Sequence, residues 1–228
     1  MPTEPRLPKF PQDPDTLLVN EFFTSLQGES THAGRPCFFI RLAGCHLRCT
    51  YCDTAYAFHE GTPYRLGDIL ARTKESGCRL VEVTGGEPLL QKPVYALFEQ
   101  LLAQGYEVLL ETSGSLDAER VPVGVKRIFD LKTPGSGEAE ANCAANFKPE
   151  SLRPGDEFKF VIASRADYEW ARAQARTTLA HAIDRVLFSP VWDRVRPDEL
   201  AQWILEDKLP VRFQLQLHKV IWGEKRGT

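Results

Sequence analysis

Long apolar runs are missing from this chain, and so is any marked excess of charge of one sign. No stretch approaches the roughly 18 apolar residues that a membrane-spanning helix needs, so no membrane partner is expected. The first residues lack the apolar core of a secretory signal, and the expected location is the cytoplasm. A net charge of −3 over 228 residues argues against a broad basic surface, so no nucleic-acid partner is expected. Cysteine is also sparse. With six thiols in a reducing compartment, and enough chain to build a core, a disulfide framework is not expected. No internal repeat is present.

What is there is ordinary in amount and informative in order. Hydrophobic residues at 43% and charged residues at 26% describe a folded domain, not a disordered one. Prolines 2, 5, 8, 11 and 14 recur every three residues, the period of a polyproline II turn. Residues 1–16 therefore read as an extended arm laid along a single domain, 17–228. Strand-like runs fall at 17–23, 37–42, 80–84, 106–112, 127–131, 157–162, 185–189 and 211–217. Helix-period segments lie between several of them. Leu66, Ile69 and Leu70 share one face, as do Val94, Leu97, Phe98, Leu101 and Leu102. Residues 166–179 form a further helix, and another opens at Pro197. Strand–helix alternation predicts parallel strands with crossover helices. The chain is too short for eight βα units. The expected fold is an α/β incomplete (β/α) barrel, with about six parallel core strands and extra flanking strands. Ligands should bind at the C-terminal strand ends. The Gly- and Ala-rich segment 133–146 reads as a mobile loop.

The main chemical signal is Cys45, Cys49 and Cys52, three thiols within eight residues directly after the 37–42 strand. Gly44 permits a sharp turn into that loop. Thiolates suit an iron–sulfur cluster or zinc. A four-iron cube needs four ligands, and this loop supplies three, leaving one iron free for a small molecule. Zinc with His46, His32 or His59 as a fourth ligand is the alternative, but no second Cys/His knuckle exists. Cys37 reads as a small core hydrophobe, and Cys78 and Cys143 as incidental.

Cys-x3-Cys-x2-Cys at the end of a first strand resembles the radical S-adenosylmethionine (SAM) superfamily. Gly85, Gly86 and Glu87, one βα unit later, resemble that superfamily's SAM-amino segment. The resemblance implies a [4Fe-4S] cluster whose open iron binds SAM, with the hard chemistry belonging to the cofactor.

The surrounding motifs are more particular. They are Leu26 to Glu29, Arg41 to Cys45, Cys52 to Thr54, Leu110 to Gly114, Asp130 to Lys132, Gln214 to Lys219 and Trp222 to Thr228. From about residue 17 onward the chain resembles the 7-carboxy-7-deazaguanine synthase family. That resemblance implies a radical SAM lyase acting on 6-carboxy-5,6,7,8-tetrahydropterin, releasing ammonium, within queuosine and 7-deazapurine biosynthesis. It implies Mg2+ as a further cofactor, a flavodoxin-type or reductase electron donor, and a homodimer.

By the same resemblance, Cys45, Cys49 and Cys52 hold the cluster, and Thr54 contacts magnesium, whose octahedral shell substrate and water complete. Leu26, Gln27, Gly28, Glu29, Arg41, Thr84, His218 and Thr228 face the substrate, with Arg41 as a fork for its carboxylate. Tyr51, Cys52, Asp53, Gly86, Glu87, Glu111, Ser113, Asp130, Leu131, Lys132 and Ser189 surround SAM. Asp130 to Lys132 align with a segment that often reads Ser-Pro-Lys in the family, so Lys132 is the matching member. The tail folds into the site, with His218 near a strand end and Val220, Ile221 and Trp222 as its apolar anchor. Two alternatives remain open: a glycyl-radical-activating enzyme, which needs an open groove for a protein glycine, and a zinc-stabilised binding module. Lys92, Glu99, Arg172 and Arg176 read as solvated helix faces.

Overall fold

The structure, a computed structural model, describes residues 7–228. The part of the proline-rich arm before residue 7 lies outside the described residues. In chain order the elements are β1 (Thr16–Leu26), β2 (Pro36–Leu42), β3 (Thr62–Arg65), α1 (Leu66–Glu75), β4 (Leu80–Gly85), α2 (Val94–Ala103) and β5 (Glu107–Thr112). Then follow β6 (Lys126–Leu131), β7 (Glu157–Ile162), α3 (Arg165–Arg176), β8 (Val186–Pro190), α4 (Pro197–Glu206), β9 (Arg212–Phe213) and α5 (Leu217–Trp222).

One nine-stranded sheet has the order β3-β1-β2-β4-β5-β6-β7-β8-β9. Its six central strands, β2 and β4 to β8, run parallel, and the short β9 extends them. β1 and β3 add an antiparallel edge. The sheet has two ends and does not close, which is the incomplete barrel expected.

Side-chain parity divides the sheet into two chemistries, because successive residues of a strand point to opposite faces. Phe38, Ile40, Val81, Val83, Val108, Leu110, Phe129, Phe158, Phe160 and Phe188 form one buried cluster with Ile69, Leu97, Phe98, Tyr168 and Leu200 of the helices. The alternate residues face inward. The lower part of that inner face is closed by Cys37, Phe39, Leu80, Leu109 and Ile128, with Phe23 stacked on Phe39 at 4.6 Å. Above them, toward the C-terminal ends, the inner face turns polar.

Three expectations are corrected. The run 211–217 supplies only a two-residue strand, and Leu217 and His218 begin α5 instead. The edge is short because Gln214 and Gln216 turn their side chains to the loop after β1. The 133–146 segment is a bonded cap, not a loose loop. It winds through 3-10 turns at Pro134–Ser136, Ala139–Ala141 and Ala144–Phe147. Asn142 bonds both N–H and C=O of Lys132, and the buried Asn146 bonds Gly114, Leu116 and Ala118. Arg172 and Arg176 are not merely solvated, since both donate to Asp207.

Candidate active site

The loop bearing Cys45, Cys49 and Cys52 leaves β2 at Leu42, where Gly44 takes φ +95°. A side chain on Gly44 would meet the ring of Phe10 at 2.8 Å, so the N-terminal arm packs onto this turn. The 133–146 cap holds the loop from the other side. Thr50 N–H donates to Ser136 O at 3.0 Å and its hydroxyl to Gly135 O at 2.8 Å. Arg48 N–H donates to Glu138 at 2.6 Å, and its guanidinium stacks 4.2 Å over Phe58.

Beside this loop stands the turn after β4. A Cβ on Gly85 would fall 2.3 Å from Leu42 O, and one on Gly86 would fall 2.4 Å from Gly44 O and 2.7 Å from Cys45 Cβ. Both positions require glycine because the two strand-end loops touch there. Glu87 is fully buried, and its carboxylate accepts from Leu89 N–H, Thr112 Oγ1, and the N–H and hydroxyl of Ser113. Ser113 continues through Ser115 to His46 Nε2, which joins the β5 end to the cysteine loop. Glu87 and Ser113 therefore brace the rim with their side chains.

The donor set fits a cluster. Cys45 is 7% exposed and the other two thiols are half-buried. Burial raises the pKa of all three, that of Cys49 to about 11, while the nearby Lys132 opposes the rise. Coordination to iron would deprotonate such thiols outright. Among the described residues no three His, Cys, Asp or Glu side chains already form a single-ion shell. His46 Nε2 is engaged with Ser115 and His32 Nδ1 with Arg35. Three buried polar atoms at the rim also lack partners, His46 Nδ1, Asp130 Oδ1 and Ser189 Oγ. Groups left so are costly unless a ligand completes them, and SAM carries both donors and acceptors.

The inner face below the rim is charged. Glu82, Glu111, Asp130 and Lys159 project from β4, β5, β6 and β7. Lys159 is 4% exposed and meets Glu29 at 2.7 Å, Glu111 at 2.5 Å and Asp130 at 3.5 Å. Lys132 also pairs with Asp130, at 3.2 Å. Thr84 Oγ1 donates to Glu111 at 3.2 Å. Gln27 donates to Glu82 and accepts from Glu29 N–H at 2.7 Å. Burial, then Glu111 close by, pushes the Glu82 carboxyl well up. Leu131 lies in the helix-facing core, so only its backbone can address a ligand. Tyr51 tucks its hydroxyl against Val161 O and Thr133.

Arg41 reaches this space from β2. A bulge at Asn20 in β1 turns Glu21 to face it, since Val19 pairs with Leu42 but Glu21 with Arg41. Arg41 Nε donates to Glu21 at 2.8 Å, and among the described residues its terminal nitrogens take no side-chain partner. Burial lowers and Tyr56 and Glu21 raise its pKa, which ends above the usual value. It is a cation ready for a carboxylate fork.

The chain after β9 packs against the loop after β1. Gln214 and Gln216 bond the Ser30 N–H and Glu29, and Leu217 N–H donates to Gly28 O at 2.9 Å. His218 lies against Gly28, where any Cβ would stand 2.2 Å from its Nδ1. Burial lowers the His218 pKa, with Glu29 opposing. Lys219 pairs with Asp53 at 2.7 Å, and Asp53 accepts from Thr54. Arg226 binds Glu21 at 3.0 Å and stacks 3.8 Å over Tyr56. The tail anchor is thus polar. Val220, Ile221 and Trp222 are 55%, 47% and 37% exposed, which corrects the expectation of an apolar plug. Thr228 bonds Lys225 O within the tail itself.

Comparison with known proteins agrees with this geometry. The family model of the Radical SAM superfamily matches residues 39–130, which hold the three cysteines, Glu87 and Asp130. A 7-carboxy-7-deazaguanine synthase of Chlorobaculum tepidum is 47% identical over 218 residues, covering 93% of this chain and 97% of that one. The chain belongs to the 7-carboxy-7-deazaguanine synthase family. A second family member, from Koribacter versatilis, is 43% identical and covers 93% of this chain and 100% of its own. The crystal structure of QueE from Escherichia coli shares the fold, with a TM-score of 0.72 at 23% identity over 89% of this chain and 95% of that one. Membership of this radical SAM family brings SAM and a [4Fe-4S] cluster as cofactors. No helix among the described residues is long and apolar enough to cross a membrane.

Sequence reasoning missed Glu82, Lys159 and Glu21. The signal was available. Glu82 is the one charge in its strand and Lys159 is flanked by Phe158 and Phe160; Glu82 and Lys159 both lie at the parity opposite to the helix-facing row. Glu21 was hidden by the bulge, which breaks simple alternation.

Proposed function

We propose that this chain converts 6-carboxy-5,6,7,8-tetrahydropterin into 7-carboxy-7-deazaguanine and ammonium, as a radical SAM lyase of 7-deazapurine biosynthesis. The observation that carries the reading is a run of polar side chains along the C-terminal strand ends and the inner face of the sheet. It runs from the three-thiol loop, past the unpartnered Asp130 Oδ1 and Ser189 Oγ, down to Arg41 and the charged inner face, and the tail covers it. Cys45, Cys49 and Cys52 hold the cluster, which with SAM supplies one-electron chemistry for hydrogen abstraction when bound. Gly86, Asp130, Lys132 and Ser189 address SAM, and Glu87, Ser113 and Tyr51 keep the rim in shape.

Arg41 takes the substrate carboxylate. Its Nε is already held by Glu21, so the guanidinium meets the ligand preoriented. Gln27, Glu29 and Thr84 line the pterin edge, where buried donors and acceptors reward a ring that matches them. Thr54, whose hydroxyl meets Asp53, is assigned to a magnesium ion bound mostly through substrate and water. The covering tail, with His218 over Gly28, favours a small enclosed substrate over the open groove that a protein glycine needs. A flavodoxin-type reductase as donor, a homodimer and a cytoplasmic location complete the proposal.

Anaerobic turnover tests it. Protein reconstituted with iron and sulfide should convert the carboxypterin, with SAM and a reductant, into a product of the mass of 7-carboxy-7-deazaguanine. SAM cleavage without that product refutes the substrate. Zinc without iron in anaerobically purified protein refutes the mechanism.

A further inference from the structure

Lys159 has no role in the reading above, yet it is the most heavily engaged charge inside the sheet. An ammonium has three N–H donors. Here they face three carboxylates from three separate segments: Glu29 in the loop after β1, Glu111 at the end of β5 and Asp130 at the end of β6. The first belongs to the segment assigned to substrate, and the last to the strand end assigned to SAM. We propose that Lys159 is a positioning residue whose ammonium ties Glu29, Glu111 and Asp130 into one array, setting the substrate-binding loop against the SAM-binding strand ends. The inference rests on the function proposed above.

The details of the array support that role. Lys159 and Lys132 both take the Oδ2 side of Asp130, and Oδ1 is left buried without a partner. The pair therefore fixes which Asp130 oxygen a ligand meets. Glu111 gives Oε1 to Lys159 and Oε2 to Thr84, so the lysine also orients the threonine assigned to substrate. Glu29 gives Oε2 to Lys159 and Oε1 to Gln216, which links the array to the closing tail. A residue serving packing alone would not need two charge-assisted bonds and a third carboxylate 3.5 Å away around a buried ammonium.

The charged groups facing the array are Arg41 from β2, Asp53 from the cysteine loop, Glu82 from β4, Glu111 from β5, Asp130 and Lys132 from β6 and the residue after it, Glu29 from the first loop, and His218 from α5. Burial raises the Glu111 pKa, and Lys159, then Arg41, bring it below the usual value. Removing the lysine charge removes the largest of those counterweights. In Lys159→Met, Glu111 should then hold a proton in the folded state that it releases on unfolding near neutral pH. Such a group supports the folded state at low pH and loses that contribution as pH rises.

The test compares parent, Lys159→Met and Lys159→Arg. Melting temperatures are measured from pH 5 to 8, with turnover of the carboxypterin alongside. The Lys159→Met deficit should be smallest at pH 5 and grow toward pH 8, and the acidic limb of its kcat/KM profile should rise by about one pH unit. Its KM for the pterin should rise at least about tenfold, and Lys159→Arg, which keeps the charge, should restore the pH behaviour but not the KM. A melting deficit that is the same at every pH, with unshifted kinetics, overturns the inference. Should Lys159→Met fail to fold, Lys159→Arg still decides, because retained charge with altered geometry must raise KM without moving the pH limb. A parent that melts as described but never turns over the pterin sinks the proposed function instead, and the melting comparison still reports on the array.

Discussion

Gly28→Ala is the substitution that most directly probes tail closure. An added methyl would stand 2.2 Å from His218 Nδ1 and 3.1 Å from both His218 Cγ and its backbone N. Ordinary contact begins near 3.4 Å, so the imidazole has to retreat by about 1.2 Å. The backbone of α5 has to follow, which stretches the 2.9 Å bond from Leu217 N–H to Gly28 O. Losing that bond costs about 0.5–1.5 kcal/mol, and local overpacking adds about 1 kcal/mol or more. A total of about 2 kcal/mol against the closed tail corresponds to about 30-fold in substrate affinity. Steady-state turnover should show a pterin KM raised by that order, while SAM binding by equilibrium dialysis changes less than about threefold. The melting temperature should fall only slightly, because the tail can open without the sheet. An unchanged pterin KM, or equal losses for pterin and SAM, would refute the idea that this glycine exists to seat His218.

Three other outcomes are expected. Cys49→Ala removes a cluster ligand and should abolish formation of 5′-deoxyadenosine; unchanged formation in an anaerobic assay contradicts the assignment. Gly86→Ala forces a methyl to within 2.4 Å of Gly44 O, which is backbone and cannot swing aside, so iron content after reconstitution should drop several-fold at equal protein. Full iron loading would show that the two loops do not need to touch. Thr54→Ala should flatten the response of turnover to added magnesium, since the hydroxyl beside Asp53 is lost; an unaltered magnesium titration counts against a cation there.

The parallel strands and their helices were legible because both periods were clean. Val94, Leu97, Phe98 and Leu101 mark one helix face, and all four are buried. The cysteine loop and the Gly85–Gly86 turn were legible because their spacing is local and their residue types have few other uses. The remainder depended on contacts distant in sequence. Nothing near Gly28 announces that His218 will fill its missing side chain, 190 positions later. The 133–146 segment has the composition of a loose loop, yet two asparagines meet enough backbone groups to fix it. The exposed Val220, Ile221 and Trp222 misled in the opposite sense. Their apolarity implied burial, whereas the tail is held by Arg226, whose partners Glu21, Asn20 and Tyr56 come from the other end of the chain.

Glu21 shows how one backbone irregularity joins these distant parts. Were Asn20 an ordinary ladder residue instead of a bulge, strict alternation from Val19 would send Glu21 toward the helices, where a carboxylate among Phe38, Ile40 and Leu66 would be costly. The bulge inverts the parity of the remainder of β1. Phe22 then stacks on Phe38 in the helix-facing core and Phe23 on Phe39 below the site, each in its proper layer. Glu21 arrives on the inner face with two oxygens for two guanidiniums, Arg41 on one and Arg226 on the other, while Tyr56 donates to the first. The same carboxylate thereby orients the group assigned to the substrate and secures the segment that covers it. Opening the tail exposes Glu21, and an exposed Glu21 grips Arg41 less firmly, because screening by water weakens the pair. The hold on Arg41 and the hold on the tail therefore meet in one carboxylate, and the bulge at Asn20 is the structural reason.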